Sequence, residues 1–345
     1  MGGDAILDGA LPPDAAWPQP PAELDALPVQ TPAWVRARAS VLKPTQQWHC
    51  LGLRGADGAL SAMAPLVREG GWLCEPPAMF EPSDWLWHSA GDLQQLAEQV
   101  LAQGLPLRLS RLPVDSPTLA ALRRAIAGRG RLLLRPAMPT PFIALDDGQG
   151  DALFSARRRA DFRRYERRAA AQGEPSYELH APAPGAELQL RLSEALLMES
   201  RSWKARSGTA LTSDAQQGEF FQRFAAAAAE AGFLRIALLR LGGRPVAMQI
   251  AAEWRERFWL FKIAHDEAFS ACSPGQLLMR HTLQQAAARG LRSYEFMGVM
   301  DDWTRLWTPQ ARQYFEVFAL PYTLATLRAL SRSAARQLYR RLRRR

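Results

Sequence analysis

The run FLRIALLRLGGRPVAMQIAAE, residues 233–253, decides how this chain is read. Two apolar stretches of strand length flank Gly242-Gly243, a pair that tolerates the positive φ angles of a tight turn, so a β-hairpin is predicted. RFWLFKIAH (257–265) reads as a third strand. Pro274 to Arg289 has helical spacing and stops at Gly290, and RSYEF (292–296) is the next strand. Upstream, Ser155 can cap a helix running to about Gly173, followed by a strand near 176–180 and helices near 186–206 and 214–231. Downstream, QYFEVFAL (313–320) is the last strand before a basic helix.

The N-terminal half repeats this order without visibly repeating the residues. WHCLGLR (47–53) and ALSAMAPLV (59–67) form a hairpin, with a strand at 71–75. DLQQLAEQVLAQ (92–103) is an amphipathic helix stopped by Gly104, and PLRLSRL is a strand. Ser116-Pro117 opens another helix, after which RLLLR and PFIAL close the lobe. The predicted fold class is α/β with mixed sheets, in two tandem lobes, each a central mixed sheet flanked by helices. The expected divisions are a flexible Pro-rich leader at 1–32, lobes at 33–150 and 151–325, and a basic tail at 326–345.

Composition narrows the function. With 345 residues, 48% hydrophobic and 22% charged, the chain is long enough for two packed cores and is not disordered. No apolar run reaches the ~20 residues of a membrane-spanning helix, and the first 30 residues contain acids but no Lys or Arg, unlike a secretory leader. Three cysteines without metal-like spacing fit reduced thiols in a cytosol, and the five histidines form no HxxxH or HxH pair, so no metal is expected. The net charge of +9 is concentrated in two segments. Residues 328–345 hold eight Arg and no acid, and RRRADFRRYERR (157–168) holds seven Arg against Asp161 and Glu166. That distribution argues against a diffuse nucleic-acid-binding surface. Only Lys43, Lys204 and Lys262 are lysines among 43 basic residues, which hints at positions wanting a compact ammonium.

The element order of the second lobe, together with ESRSWKARSGTAL (199–211), FKIAHDEAFSACSPGQLL (261–278) and EFMGVMDDWTRLWTP (295–309), resembles the CelD-like branch of the GNAT acyltransferases. Members of that branch pair two GNAT-like lobes, as do the FemAB peptidyltransferases. The resemblance covers roughly residues 40–325 and is strongest over 150–310. It implies an acyltransferase that uses acetyl-CoA or another acyl-CoA as co-substrate, and by association an amine acceptor on a glycan or envelope precursor. Two features depart from the pattern. Ser273-Pro274-Gly275-Gln276 stands where the GNAT phosphate-binding signature Q/R-x-x-G-x-G/A would lie, and Thr304 replaces a lysine common in related sequences.

Ser273 to Gln276 reads as a capped helix start, with Ser as N-cap, Pro at the first position and Gln completing a capping box. Free N–H groups there favour an anion, and the resemblance places the CoA pyrophosphate on them. Lys262 and His265 end the preceding strand on opposite faces: His265 as a base near neutral pH, Lys262 as a partner for phosphate or carboxylate. A solvent-exposed strand end would explain both equally. Glu295 between Tyr294 and Phe296 is a second candidate base, unless alternation turns it to solvent. Asp302 and Trp303 mark a loop or helix start where an amine could be held, with Trp307 on the same helical face. Trp203-Lys204 follows the family pattern as a further substrate-binding pair. The Arg-rich helix would suit CoA phosphates, an acidic substrate or, in an aminoacyl-tRNA-dependent alternative, tRNA. A non-catalytic scaffold for polysaccharide synthesis is the third reading. Leucines 327, 330, 338 and 342 alternate with arginines at helical spacing in the tail, which fits an anionic membrane surface, so a cytoplasmic location, peripheral at the inner face of the membrane, is expected.

Overall fold

The computed structural model describes residues 5–7, 11, 17–18, 26–55, 58–77, 81–145, 153–202 and 214–342. The chain forms two compact units, residues 1–139 with 312–345, and residues 140–311. The first contains β1 (Ala5–Leu7), α1 (Pro32–Ala39), β2 (Gln46–Arg54), β3 (Leu60–Glu69), β4 (Trp72–Cys74), β5 (Leu86–Trp87), α2 (Ala90–Ala102), β6 (Leu107–Pro113), α3 (Pro117–Ile126) and β7 (Gly130–Pro136). The second contains β8 (Thr140–Ala144), α4 (Ala156–Ala170), β9 (Pro175–His180), α5 (Ala186–Ser200), α6 (Ala215–Glu230), β10 (Leu234–Leu241), β11 (Arg244–Trp254), β12 (Arg257–His265), α7 (Pro274–Ala288), β13 (Ser293–Glu295) and α8 (Asp302–Arg305). Beyond β14 (Ala311–Arg312), which falls on the boundary, β15 (Tyr314–Pro321) and α9 (Leu324–Leu342) return to the first unit.

Both sheets are mixed. The first has the order β1-β2-β3-β4-β6-β15-β7, with β5 beside β3; the second has β14-β8-β13-β12-β11-β10-β9. Each holds a parallel pair bridged by a helix. β4 and β6 flank the crossover through α2, and β12 and β13 the crossover through α7. The predicted hairpin is β10–β11, turning at Gly242 and Gly243 with φ of 54° and 79°. Apolar alternation explains the burial. In the second unit Phe162 of α4 and Leu278 and Leu283 of α7 pack on Phe258 and Tyr294 across one sheet face. Phe220, Phe221 and Phe224 of α6 are fully buried, each contributing about 1.5–3 kcal/mol by leaving water.

Two strands exchange places relative to the expected lobes. PFIAL was expected to close the first lobe, but β8 pairs with β13, Ile143 opposite Tyr294. QYFEVFAL was expected to end the second lobe, but β15 lies between β6 and β7. Period-2 patterning identifies a strand without identifying its partner, so local sequence did not distinguish the two sheets. The Pro-rich leader also differs from expectation. Its described residues are structured: Ala5–Leu7 pairs with β2, Trp17 is buried and its Nε1 donates to Gln30 O at 3.1 Å, and Gln30 Nε2 donates to Trp85 O at 2.5 Å.

Candidate active site

The site grows from the parallel pair. β12 and β13 are hydrogen-bonded only over Arg257–Trp259 and Ser293–Glu295, so the strands part six residues before β12 ends at His265. Ligands of α/β sheets gather at the carboxyl ends of parallel strands, where crossover helices begin. Here a cavity of about 400 Å³ opens at that place. Ile263, Ala264 and His265 of β12 form one wall, Ser273, Gly275 and Gln276 at the start of α7 another. Trp303 and Trp307 stand across from them.

His265 is held in this cavity against α7. A Cβ placed on Gly275 would lie 3.5 Å from its Nδ1, so the start of α7 and the imidazole lie side by side with room for no more than a methyl group between them. Burial pushes the His265 pKa below its ordinary 6.5, opposed in part by Glu267 and Asp266. The ring is therefore neutral at pH 7 and able to accept a proton.

The helix start differs from its expected form. Ser273 does bound α7, but with φ 48° and ψ 55°, left-handed backbone, and its hydroxyl makes no capping bond. The predicted capping box is absent: the Gln276 N–H that the hydroxyl was expected to cap donates to Ser273 O instead, at 3.0 Å. Gln276 Oε1 is left buried without a hydrogen-bond partner. The corresponding crossover helix of the first unit is closed: Ser89 Oγ accepts from Asp92 N at 3.1 Å and donates to Asp92 Oδ2 at 2.5 Å. An acid in the first turn of α2 disfavours an anion there, whereas α7 has no acid in its first turn.

Lys262 and Glu295 lie elsewhere. A register shift between Ile250 and Ala251 opposite β12 places Phe261 and Lys262 together on the α6 side, the Lys262 Nζ 4.9 Å from the Phe221 ring centroid. Glu295 is 2% exposed, accepts from Ser293 Oγ at 2.7 Å and pairs with Arg257 Nη1 at 3.6 Å. It sits level with Trp259, the far end of β12 from His265. Asp302 is exposed in the first turn of α8. Trp303 packs on Phe296, whereas Trp307 packs on Phe154 and Phe162, so the two indoles share the cavity rather than a stack. Thr304 is structural: its N–H donates to Asp301 Oδ1 at 3.1 Å and its hydroxyl accepts from Asp301 N at 2.9 Å. Trp203 and Lys204 lie outside the described residues.

One cavity residue escaped the sequence reading. Gln249 ends a buried chain in which Thr282 Oγ1 and Tyr294 OH are 3.1 Å apart and Tyr294 OH donates to Gln249 Oε1 at 3.3 Å. Burial keeps the Tyr294 phenol protonated, so it serves as donor. The signal was present: Gln249 is the sole polar residue in VAMQIAA (246–252). The Arg-rich helix borders the same region. Arg168 Nη1 donates to Ala271 O at 3.1 Å, and Arg158 stacks 4.8 Å over Trp307. Arg157, Arg163 and Arg167 are exposed without an acidic partner among the described residues. Among those residues no cluster of three His, Cys, Asp or Glu side chains could hold a metal ion.

Residues 156–305 match the family model described as an acetyltransferase (GNAT) domain. No curated protein matches the sequence. Among solved structures the chain is similar to FemX, at 12% identity and TM-score 0.56, over 89% of this chain and 94% of that one. It is also similar to L-PGS from Bacillus licheniformis, at 12% identity and TM-score 0.52, over 88% and 91% of the two chains. Such identities establish the fold alone. The chain is thus a GNAT-fold protein of two-lobed, FemAB-like architecture, with its GNAT domain at residues 156–305.

Proposed function

We propose that this protein transfers an acyl group from an acyl-CoA to an amine in the His265 cavity. The observation that carries this reading is a neutral imidazole lying against a helix start without a side-chain cap, both lining a cavity of about 400 Å³. In the first turn of α7, Pro274 has no N–H and the Gln276 and Leu277 N–H groups donate to Ser273 O, which leaves the Gly275 N–H to meet a donor phosphate; the arginines of α4 add positive charge beside it. The thioester would lie where β12 and β13 part. His265 takes the proton as the amine attacks the carbonyl, and collapse of the tetrahedral intermediate expels the thiolate. By resemblance to the CelD-like branch, the acceptor is an amine on a glycan or envelope precursor.

The test is release of free thiol from acetyl-CoA in the presence of an amine panel. Wild-type protein should release it, and His265→Gln should be slower by about 10²-fold or more. Thiol release that is equally fast in that variant refutes the role of His265.

The second reading, an aminoacyl-tRNA donor, draws on the three unpartnered arginines of α4, more cationic surface than one pyrophosphate needs. Transfer from charged tRNA, with no acyl-CoA turned over, would favour it.

A further inference from the structure

The described part of the C-terminal helix carries three arginines that the described chain leaves unneutralised. Residues 328–345 hold eight arginines and no acid. Arg328, Arg332 and Arg336 are exposed, and none has an acidic partner among the described residues. Beneath the helix, Arg135 and Arg336 border a cavity of about 660 Å³ together with Glu69 and Glu316; Arg135 stacks 5.1 Å over Phe318, and Glu316 pairs with Arg108 at 2.7 Å.

The helix is also two-faced. Its inner side is fixed to the first unit: Thr326 and Ala329 are buried, Trp72 Nε1 donates to Ser333 Oγ at 3.2 Å, and Thr323 Oγ1 donates to Gly104 O at 2.6 Å. The other side holds large apolar groups in water, with Tyr322 69%, Leu324 70% and Leu327 61% exposed. One exposed leucine is ordinary; three such groups within residues 322–327, at the start of a docked helix that continues into arginines, form a surface.

We infer that α9 rests on an anionic lipid bilayer. Tyr322, Leu324 and Leu327 enter the headgroup boundary while Arg328 and Arg332 meet lipid phosphates. The apolar side chains favour a bilayer over nucleic acid, because RNA phosphates would engage the arginines and leave the leucines in water. Contact is lateral, since no helix among the described residues is long and apolar enough to cross a membrane. This inference is independent of acyl transfer.

The test is co-sedimentation of the intact protein with phosphatidylcholine vesicles, with and without phosphatidylglycerol, at low and high salt. Binding should require phosphatidylglycerol and weaken with salt. Arg328→Ala/Arg332→Ala should lower affinity roughly 30-fold, about fivefold per arginine. Leu324→Ser/Leu327→Ser, which leaves every charge in place, should lower it at least about tenfold. Thermal unfolding should show both variants folded, because the inner face is untouched. Wild-type protein that ignores anionic vesicles at low salt overturns the inference. So does full binding by the leucine variant, which would reduce the contact to charge alone. Binding of tRNA in preference to vesicles would assign the helix to nucleic acid instead.

Discussion

Gly275 and His265 meet across the start of α7: a Cβ on Gly275 would stand 3.5 Å from His265 Nδ1, an ordinary van der Waals distance. The φ of Gly275 is not in the left-handed region, so alanine fits both backbone and space. Gly275→Ala should therefore fold and bind CoA within a few-fold of wild type. Gly275→Trp should fill the cavity and abolish CoA binding in calorimetry with little change in unfolding temperature. Equal CoA affinity in the two variants would place the donor elsewhere.

The depressed pKa of His265 fixes a direction for activity against pH. A base must be neutral, and burial keeps the folded imidazole neutral below the ordinary 6.5. The acid limb of kcat/KM should therefore fall below pH 6.5, and replacing His265 by Gln should remove that limb. Stability follows the same sign. The unfolded chain takes up the proton first, so the contribution of this residue, present above pH 6.5, is lost as pH falls below it. A limb lying well above pH 6.5 would exclude His265 as the base.

Ser273 holds left-handed backbone that costs a non-glycine residue about 1–2 kcal/mol, and its hydroxyl caps nothing in return. Ser273→Gly should therefore stabilise the protein by about 1 kcal/mol in denaturant unfolding. Destabilisation would mean that the side chain holds an interaction of its own.

Most elements of this fold were legible because each is a local pattern. The glycine pair between β10 and β11, Ser155 accepting from Arg158 N, and Pro274 opening α7 all act within a few residues. Long-range pairing was not legible. β8 and β15 read as strands, yet the sheet each joins depends on partners far away in sequence. The site divided along the same line. His265 and Gly275 are ten positions apart and came together as the strand–helix order implied. Glu295 and Lys262 were drawn away, one by Arg257 and the other by a bulge that no residue type announced.

Glu295 should accordingly matter for stability and little for transfer. Arg257 and Ser293 hold its carboxylate in a site 2% exposed. Glu295→Ala would strand a buried guanidinium, costing about 3 kcal/mol, while Glu295→Gln keeps the hydrogen bond and costs less. Transfer by the Gln variant should stay within about threefold of wild type, well short of the loss expected for a general base. A loss of 10²-fold there would restore Glu295 as the base.

Lys262 provides the closing test, because the sequence marked it for catalysis and the fold gives it other surroundings. It is 8% exposed, does not line the His265 cavity, and rests its ammonium 4.9 Å from the Phe221 ring. A desolvated cation over an aromatic face is worth about 2 kcal/mol, so Lys262→Ala should destabilise by at least that, with a cavity adding to the loss. Lys262→Arg keeps the charge but forces a longer planar group into a packed site, costing about 1–3 kcal/mol. If the role is structural, both variants should unfold earlier, and both should transfer at near wild-type rates well below their unfolding temperatures. The decisive comparison is kcat against melting temperature in the same preparations. Loss of kcat in a variant that melts like wild type would show that Lys262 reaches the reaction after all.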